Sequence, residues 1–408
     1  MPPLIMGRLI SYRGFRELAF VGSNLDIVYA IDADLGTIFW QKHLEYSTRE
    51  PQVTVSTPDC PGGMTATPTM SVPGGAGARG VAAAPPRGGA PAASFIAGTT
   101  SVYAISSDGR LHRLNVSTGD DIVQPVQILP ANSKTSNLMM VNNIIYTVTS
   151  PACNLTKNAI WAVDLTVDPP KATSFALNAG EVASSAGPVI GNDGTVYVQT
   201  SGRVLALNAG DLALKGYITL ADASVDASPL VLQYKNREMI VVSSKDGRLR
   251  LLDAATLLNG NHESVSYQTT PMAVFGSLST WQDADGTRWV LAPVWGRNDT
   301  SPNGSIAAFK VEELAGKAVL MPAWVSRDMI SPLPPVIASG VVFALSAGKN
   351  GTRATLYALD AGTGKELYSS RNLVTGPASL AGMTVSNGRV YFSTLDGTMY
   401  AFGMFMEH

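Results

Sequence analysis

The sequence predicts an all-β chain: an eight-bladed β-propeller of four-stranded antiparallel blades, with the last blade incomplete. Three observations predict it. The stretch Val28–Trp40, VYAIDADLGTIFW, returns as Leu356–Tyr368, LYALDAGTGKELY. Looser copies run over Val102–Ile122, Ile160–Leu177, Val204–Tyr217, Leu249–Leu257 and Met399–Gly403. The units around these copies recur about every 40–50 residues, the spacing of propeller blades. No stretch shows the periodicity of an amphipathic helix, and Gly (39) and Pro (25) are plentiful enough to turn many short strands.

The repeat reads as strand, polar turn, strand. Val28, Tyr29, Ala30 and Ile31 form a short run rich in β-formers. Asp32 and Asp34 can accept from the backbone two residues on, and Gly36 takes a positive φ without steric cost. Thr37–Trp40 then runs back. Pro68, Pro188, Pro229, Pro332 and Pro377 open units, where a strand's first residue needs no ladder donor.

In chain order, residues 1–44 hold the first unit, with strands expected over Leu9–Arg13 and Glu17–Gly22 ahead of the repeat. Residues 71–93, SVPGGAGARGVAAAPPRGGAPAA, are almost all Gly, Ala, Pro and Arg. They hold little to bury and read as a low-complexity, disordered loop inserted into a single domain spanning 1–408. The second unit resumes beyond it, and the third spans about Ser136–Leu177. The fourth, Ser184–Leu220, places turns at Asn192–Gly194, Ser201–Gly202 and Asn208–Asp211. The fifth spans Asp226–Leu257, the sixth Ser277–Val325 with a long loop after Trp295, and the seventh Ser331–Leu373. The eighth begins near Gly376 and stops three strands in. An N-terminally shortened copy of a longer protein is expected, the lost piece holding one strand and a secretory signal; the alternative is that Met404–His408 pairs as a stub.

Charge and cysteines narrow the classes of function. Net charge is −2, so no electrostatic case exists for nucleic acid or an anionic membrane. The two cysteines, Cys60 and Cys153, are either unrelated thiols or one disulfide joining two long loops. No CxxCH occurs, which excludes covalent c-type haem, and His43, His112, His262 and His408 are too scattered for zinc. Residues 1–20 break every few positions with Pro, Gly, Arg or Glu and do not read as a secretory signal. No apolar run reaches the length of a membrane-spanning helix.

The pattern carried by VYAIDADLGTIFW and LYALDAGTGKELY resembles the pyrroloquinoline-quinone-like repeat of quinoprotein β-propellers. The resemblance implies that the closing aromatic packs on the next blade, which fits Trp40 and Tyr368, with Tyr217 a looser match. It implies a periplasmic or extracellular setting. The family holds two classes. One is quinone-dependent alcohol and sugar dehydrogenases, with pyrroloquinoline quinone over calcium or a lanthanide. The resemblance there calls for a vicinal Cys–Cys pair, acidic metal ligands and an Asp base, and the chain has no adjacent cysteines. The other class has no cofactor and includes a scaffold lipoprotein of outer-membrane barrel assembly. The absent motifs favour a non-catalytic binding or scaffold propeller with no resident metal; a quinone-dependent dehydrogenase and a carbohydrate-binding or carbohydrate-active propeller are the alternatives.

Candidate site residues come from the unit starts, which face the axis in such folds: Thr67, Asn137, Ser185, Asp226, Ser277 and Ser331. Only Asp226, and Asn137 as a neutral oxygen donor, could contact a cofactor there. A second candidate is Trp295, Arg297 and Asp299 in the long sixth-unit loop, an aromatic, a cation and an acid suited to a glycan or peptide. The simpler reading of the same residues is blade-to-blade docking by the tryptophans and a surface pair between Arg297 and Asp299. The Asp pairs at Asp32/Asp34, Asp120/Asp121 and Asp283/Asp285 read as hairpin turns, because the later ligands of a calcium loop are missing.

Overall fold

A computed structural model of the chain describes residues 2–11, 14–44, 63–71, 100–150, 158–179, 181–184, 186–220, 227–244, 247–258, 264–268, 273–274, 276–295, 302–349 and 351–403. The protein is an eight-bladed β-propeller: eight antiparallel sheets succeed one another along the chain, each built mainly from consecutive strands.

The chain divides into two compact units. The first, Leu4–Asn178 with Gly210–Leu212, holds three blades. Blade one is Leu4–Ser11, Gly14–Gly22, Ile27–Asp32 and Thr37–His43, its first two strands longer than the sequence suggests. Blade two is Thr69–Met70, Ser101–Ile105, Arg110–Asn115 and Val126–Gln127. Blade three is Met139–Val141, Ile144–Ser150, Ala159–Asp164 and Lys171–Ala176, with Lys134–Thr135 also paired to its second strand.

The second unit holds blades four to eight. Blade four is Val189–Ile190, Val196–Gln199, Arg203–Leu207 and Leu214–Thr219. Blade five is Leu230–Tyr234, Arg237–Ser243, Arg248–Asp253 and Ser264–Gln268. A helical turn, Ala254–Leu258, interrupts it where the repeat leads one to expect a hairpin; Asp253 Oδ1 accepts from Ala255 N at 3.0 Å and starts that turn. In blade six, Ala273–Val274 and Ser279–Gln282 both pair with Arg288–Trp295, and Gly304–Leu314 and Lys317–Val325 complete the sheet. Blade seven is Val336–Ala338, Val341–Ser346, Thr355–Asp360 and Glu366–Ser369. Blade eight has three described strands, Ala378–Ser386, Arg389–Thr394 and Met399–Gly403.

Strand alternation explains the packing. On blade five, Met239, Val241, Leu249 and Leu251 join a core with Val290, Val294 and Phe309 of blade six. Their neighbours Ile240, Val242 and Leu252 face the other way, into a core with Tyr197 and Val204 of blade four. Blades six and seven share Trp289, Leu291, Ala344 and Leu359, and blades seven and eight share Leu345, Leu356, Val390 and Phe392. A middle strand is thus buried on both faces, which is why it reads as a continuous apolar run rather than an alternating one. Within the first unit, Tyr103 and Leu111 of blade two meet Ile145 and Val163 of blade three in the same way.

Candidate functional site

Aspartates build several of the hairpin turns. Asp32 Oδ1 accepts from Asp34 N at 3.1 Å and from Leu35 N at 3.0 Å, and Arg16 pairs with its other oxygen. Asp360 does the same with Thr363 N at 2.9 Å, and the Thr363 hydroxyl, its strongest partner, holds the carboxyl below the usual carboxylate range. Asp283 accepts from Trp289 Nε1 at 2.8 Å, then from Thr287 N and Asp285 N; the indole hydrogen bond is the largest cause of its lowered pKa. These acids are turn builders, not convergent ligands.

The docking device is a tryptophan over a glycine. Trp40, 9% exposed, sends its indole N–H from blade one to Val116 O of blade two at 2.9 Å. Its ring covers Gly119, where a Cβ would meet Cε3 at 2.6 Å. Trp324 repeats the contact between blades six and seven: its Nε1 donates to Ala361 O at 3.0 Å, and its ring covers Gly364. Trp324 ends a unit that does not carry the repeat's full pattern, so sequence reading missed it; the signal was Gly364, in the turn of the next repeat.

Tyr217 and Tyr368 correct the expectation drawn from the resemblance. They are 46% and 44% exposed and are not buried wedges. The blade after Tyr217 has Ala254–Leu258 where a glycine turn would stand, and Arg203 lies over the Tyr217 ring at 5.2 Å in its own blade. The blade after Tyr368 has no turn into a fourth strand among the described residues. Without a glycine socket ahead of it, neither ring has a place to bury.

Four of the predicted unit starts lie among the described residues. Asn137 is exposed ahead of Met139–Val141, Thr67 is buried, and Ser277 and Ser331 are half-buried. Ser185, Asp226, Arg297, Asp299, Cys60 and Cys153 lie outside the described residues, as does the low-complexity loop beyond Ser71. Trp295 ends its strand, and its indole N–H donates to Pro332 O at 2.8 Å, in the segment entering blade seven. Trp281 stacks on Trp289 at 6.1 Å inside blade six.

One constellation went unseen in the sequence. His112 Nδ1 lies 3.0 Å from Asp121 Oδ1, and its Nε2 lies 3.2 Å from Ser106 Oγ. The order Ser–His–Asp is that of a hydrolase triad, but the chemistry is not. Ser106 Oγ donates to Asp108, so its proton is not aimed at the imidazole. Ser106 is 4% exposed and His112 3%. Thr394 makes the same bond to Asp396 at 2.5 Å in blade eight, where Thr398 N also donates to that carboxylate at 3.1 Å. Ser106 is therefore half of a turn clamp that recurs between blades.

A polar groove of about 570 Å³ lies between the hairpin turns of blades five and six. Lys235 and Glu313 pair across it. Arg288 forms part of the lining, its Nε donating to Gln233 O at 3.0 Å and its Nη2 to Gln282 Oε1 at 3.2 Å. Lys310 is laid over the Trp289 ring at 5.0 Å. Asp285 and Glu312 complete the charged lining.

These blades define an eight-bladed β-propeller. Residues 303–403 match the family described as outer membrane protein assembly factor BamB. BamB from Moraxella catarrhalis is similar in structure, with TM-score 0.58 at 14% identity, covering 98% of this chain and 96% of that one. A quinohemoprotein alcohol dehydrogenase from Comamonas testosteroni aligns at TM-score 0.55 and 14% identity, over 94% of this chain and 69% of that one. A europium-containing methanol dehydrogenase aligns at TM-score 0.55 and 12% identity, over 98% and 83%. No curated protein matches the sequence. The family match covers residues 303–403 alone, and at these identities the likeness to the solved structures extends to the fold alone. Among the described residues, none form the acidic metal-ligand set that the dehydrogenase resemblance calls for. The cysteines are not adjacent, and among the described residues no three His, Cys, Asp or Glu side chains converge on one point. Among the described residues no helix is long and apolar enough to cross a membrane.

Proposed function

We propose that this chain is a non-catalytic propeller that binds a protein partner as a scaffold outside the cytoplasm. The observation that carries the reading is the groove between blades five and six, whose lining offers ion pairs and hydrogen bonds to a partner surface. The match of residues 303–403 to an outer-membrane assembly factor supports the setting and the scaffold role. The extent of the likeness supports it too: the chain spans 96% of BamB but 69% of the alcohol dehydrogenase.

The test is reconstitution of the full chain with pyrroloquinoline quinone and calcium or a lanthanide. The expected result is no stoichiometric quinone absorbance after gel filtration and no dye reduction with alcohols or sugars. Bound quinone with turnover would overturn the reading in favour of a dehydrogenase.

A further inference from the structure

We infer that the groove between blades five and six binds a peptide segment through an acidic side chain, with Arg288 as the fork that grips the carboxylate. The inference rests on the scaffold reading and names the chemistry of its partner. Two facts point to a carboxylate. First, Arg288 is held but not neutralised. Its two hydrogen bonds go to neutral acceptors, Gln233 O and Gln282 Oε1, and among the described residues no carboxylate lies within ion-pairing distance of it. A guanidinium presents five donors in one plane, so the rest of the fork remains for a ligand already aligned by the first two bonds. Partial burial lowers the Arg288 pKa, in keeping with the absence of a facing carboxylate among the described residues. Second, Lys310 also lines the groove, and its contact is the face of Trp289 rather than an acid.

The remaining charges select against other anions. Asp285, Glu312 and Glu313 line the same groove, and Lys235 neutralises only Glu313. A polyanion or a dianionic phosphate would meet that acidic rim, whereas one carboxylate on a peptide meets the fork with half the charge. A basic residue beside it in the peptide finds Asp285 or Glu312. The groove's volume of about 570 Å³ suits a short extended segment.

The experiment uses the purified full chain and two immobilised hexapeptide pools. Both have Gly, Ser and Ala at the outer positions; one has a central Glu and the other a central Gln. Retention of the protein on the Glu pool is expected to exceed that on the Gln pool by about tenfold, a contrast of the size set by a charge-assisted fork. Arg288→Gln should abolish the contrast and Arg288→Lys should weaken it, because an ammonium cannot hold both oxygens. Lys310→Gln, which removes no hydrogen bond that holds the blades, should reduce it and guards against misfolding of the Arg288 variants. Equal retention on both pools, or an unchanged contrast in Arg288→Gln and Lys310→Gln, overturns the inference. So does inorganic phosphate displacing the protein better than acetate at equal concentration. Failure here leaves the scaffold reading standing on the quinone test, and quinone turnover sinks that reading whatever the peptides show.

Discussion

The indole of Trp40 lies against Gly119 of the next blade so closely that a Cβ there would meet the ring at 2.6 Å. Gly119 also has φ +77, and Gly364 under Trp324 has φ +71. Gly36 occupies the same place in its own turn, with φ +66, but a Cβ there meets nothing within 4 Å among the described residues. The three glycines separate two costs. Gly36→Ala should lose only the left-handed backbone term, about 1–2 kcal/mol. Gly119→Ala and Gly364→Ala should lose that and about 1–3 kcal/mol more as the ring is displaced. Urea unfolding of the three variants measures the difference. Equal losses would show that the rings yield without cost.

The same device ranks the aromatics. Trp40→Ala removes a nearly buried ring and its bond to Val116 O, and should cost about 3–5 kcal/mol. Tyr217→Ala and Tyr368→Ala remove rings that are almost half exposed and should cost about 1 kcal/mol or less. Thermal melts of the three check the order. A Tyr368 variant as damaging as the Trp40 variant would restore it as a docking residue.

The repeat made the fold legible because middle strands serve two cores and the best copies carry their turn-closing acid and glycine locally. LYALD reads as a strand on its own, and Asp360 and Gly364 close the turn whatever lies beyond it. The fate of the aromatic past the turn was not legible. Whether that ring buries depends on a glycine in the next blade, some tens of residues away, and among the described residues Tyr368 has no such glycine to meet. Nor was the groove legible. Arg288 and Gln233 stand 55 positions apart and meet only because two hairpin turns project side by side. Arg288 carries no motif, and a lone arginine before a tryptophan does not announce a fork with open donors.

Ser106 offers a direct check on the triad-like cluster. If it is a turn clamp, a fluorophosphonate probe should leave the folded protein unlabelled, because the hydroxyl proton goes to Asp108 and the side chain is sealed from solvent. Ser106→Ala should instead destabilise the fold by about 1–3 kcal/mol, the cost of leaving buried acceptors short of a donor. Labelling that Ser106→Ala removes would make the cluster a nucleophile after all.

Acid should attack the turns before the cores. The carboxyls of Asp283, Asp360 and Asp396 are held below their ordinary value, chiefly by the Trp289 indole, the Thr363 hydroxyl and the Thr394 hydroxyl respectively. Each is depressed in the folded chain and ordinary in the unfolded one, so near these values the unfolded chain binds more protons. Stability therefore rises with pH across that window. It is fully present above the ordinary aspartate value of about 3.9, and it fades as pH falls through the lower folded values. The melting temperature should owe no slope to these groups between about pH 7 and about pH 5, then drop below about pH 4. The combined variant Asp283→Asn, Asp360→Asn, Asp396→Asn keeps the side-chain shape but not the charge. It should melt lower than the native chain at neutral pH and lose less on acidification, so that the two curves converge. Curves that stay parallel down to about pH 3 would place the acid sensitivity elsewhere, with Glu313 the next group to test, since the hydrogen bond from Lys235 lowers its pKa most.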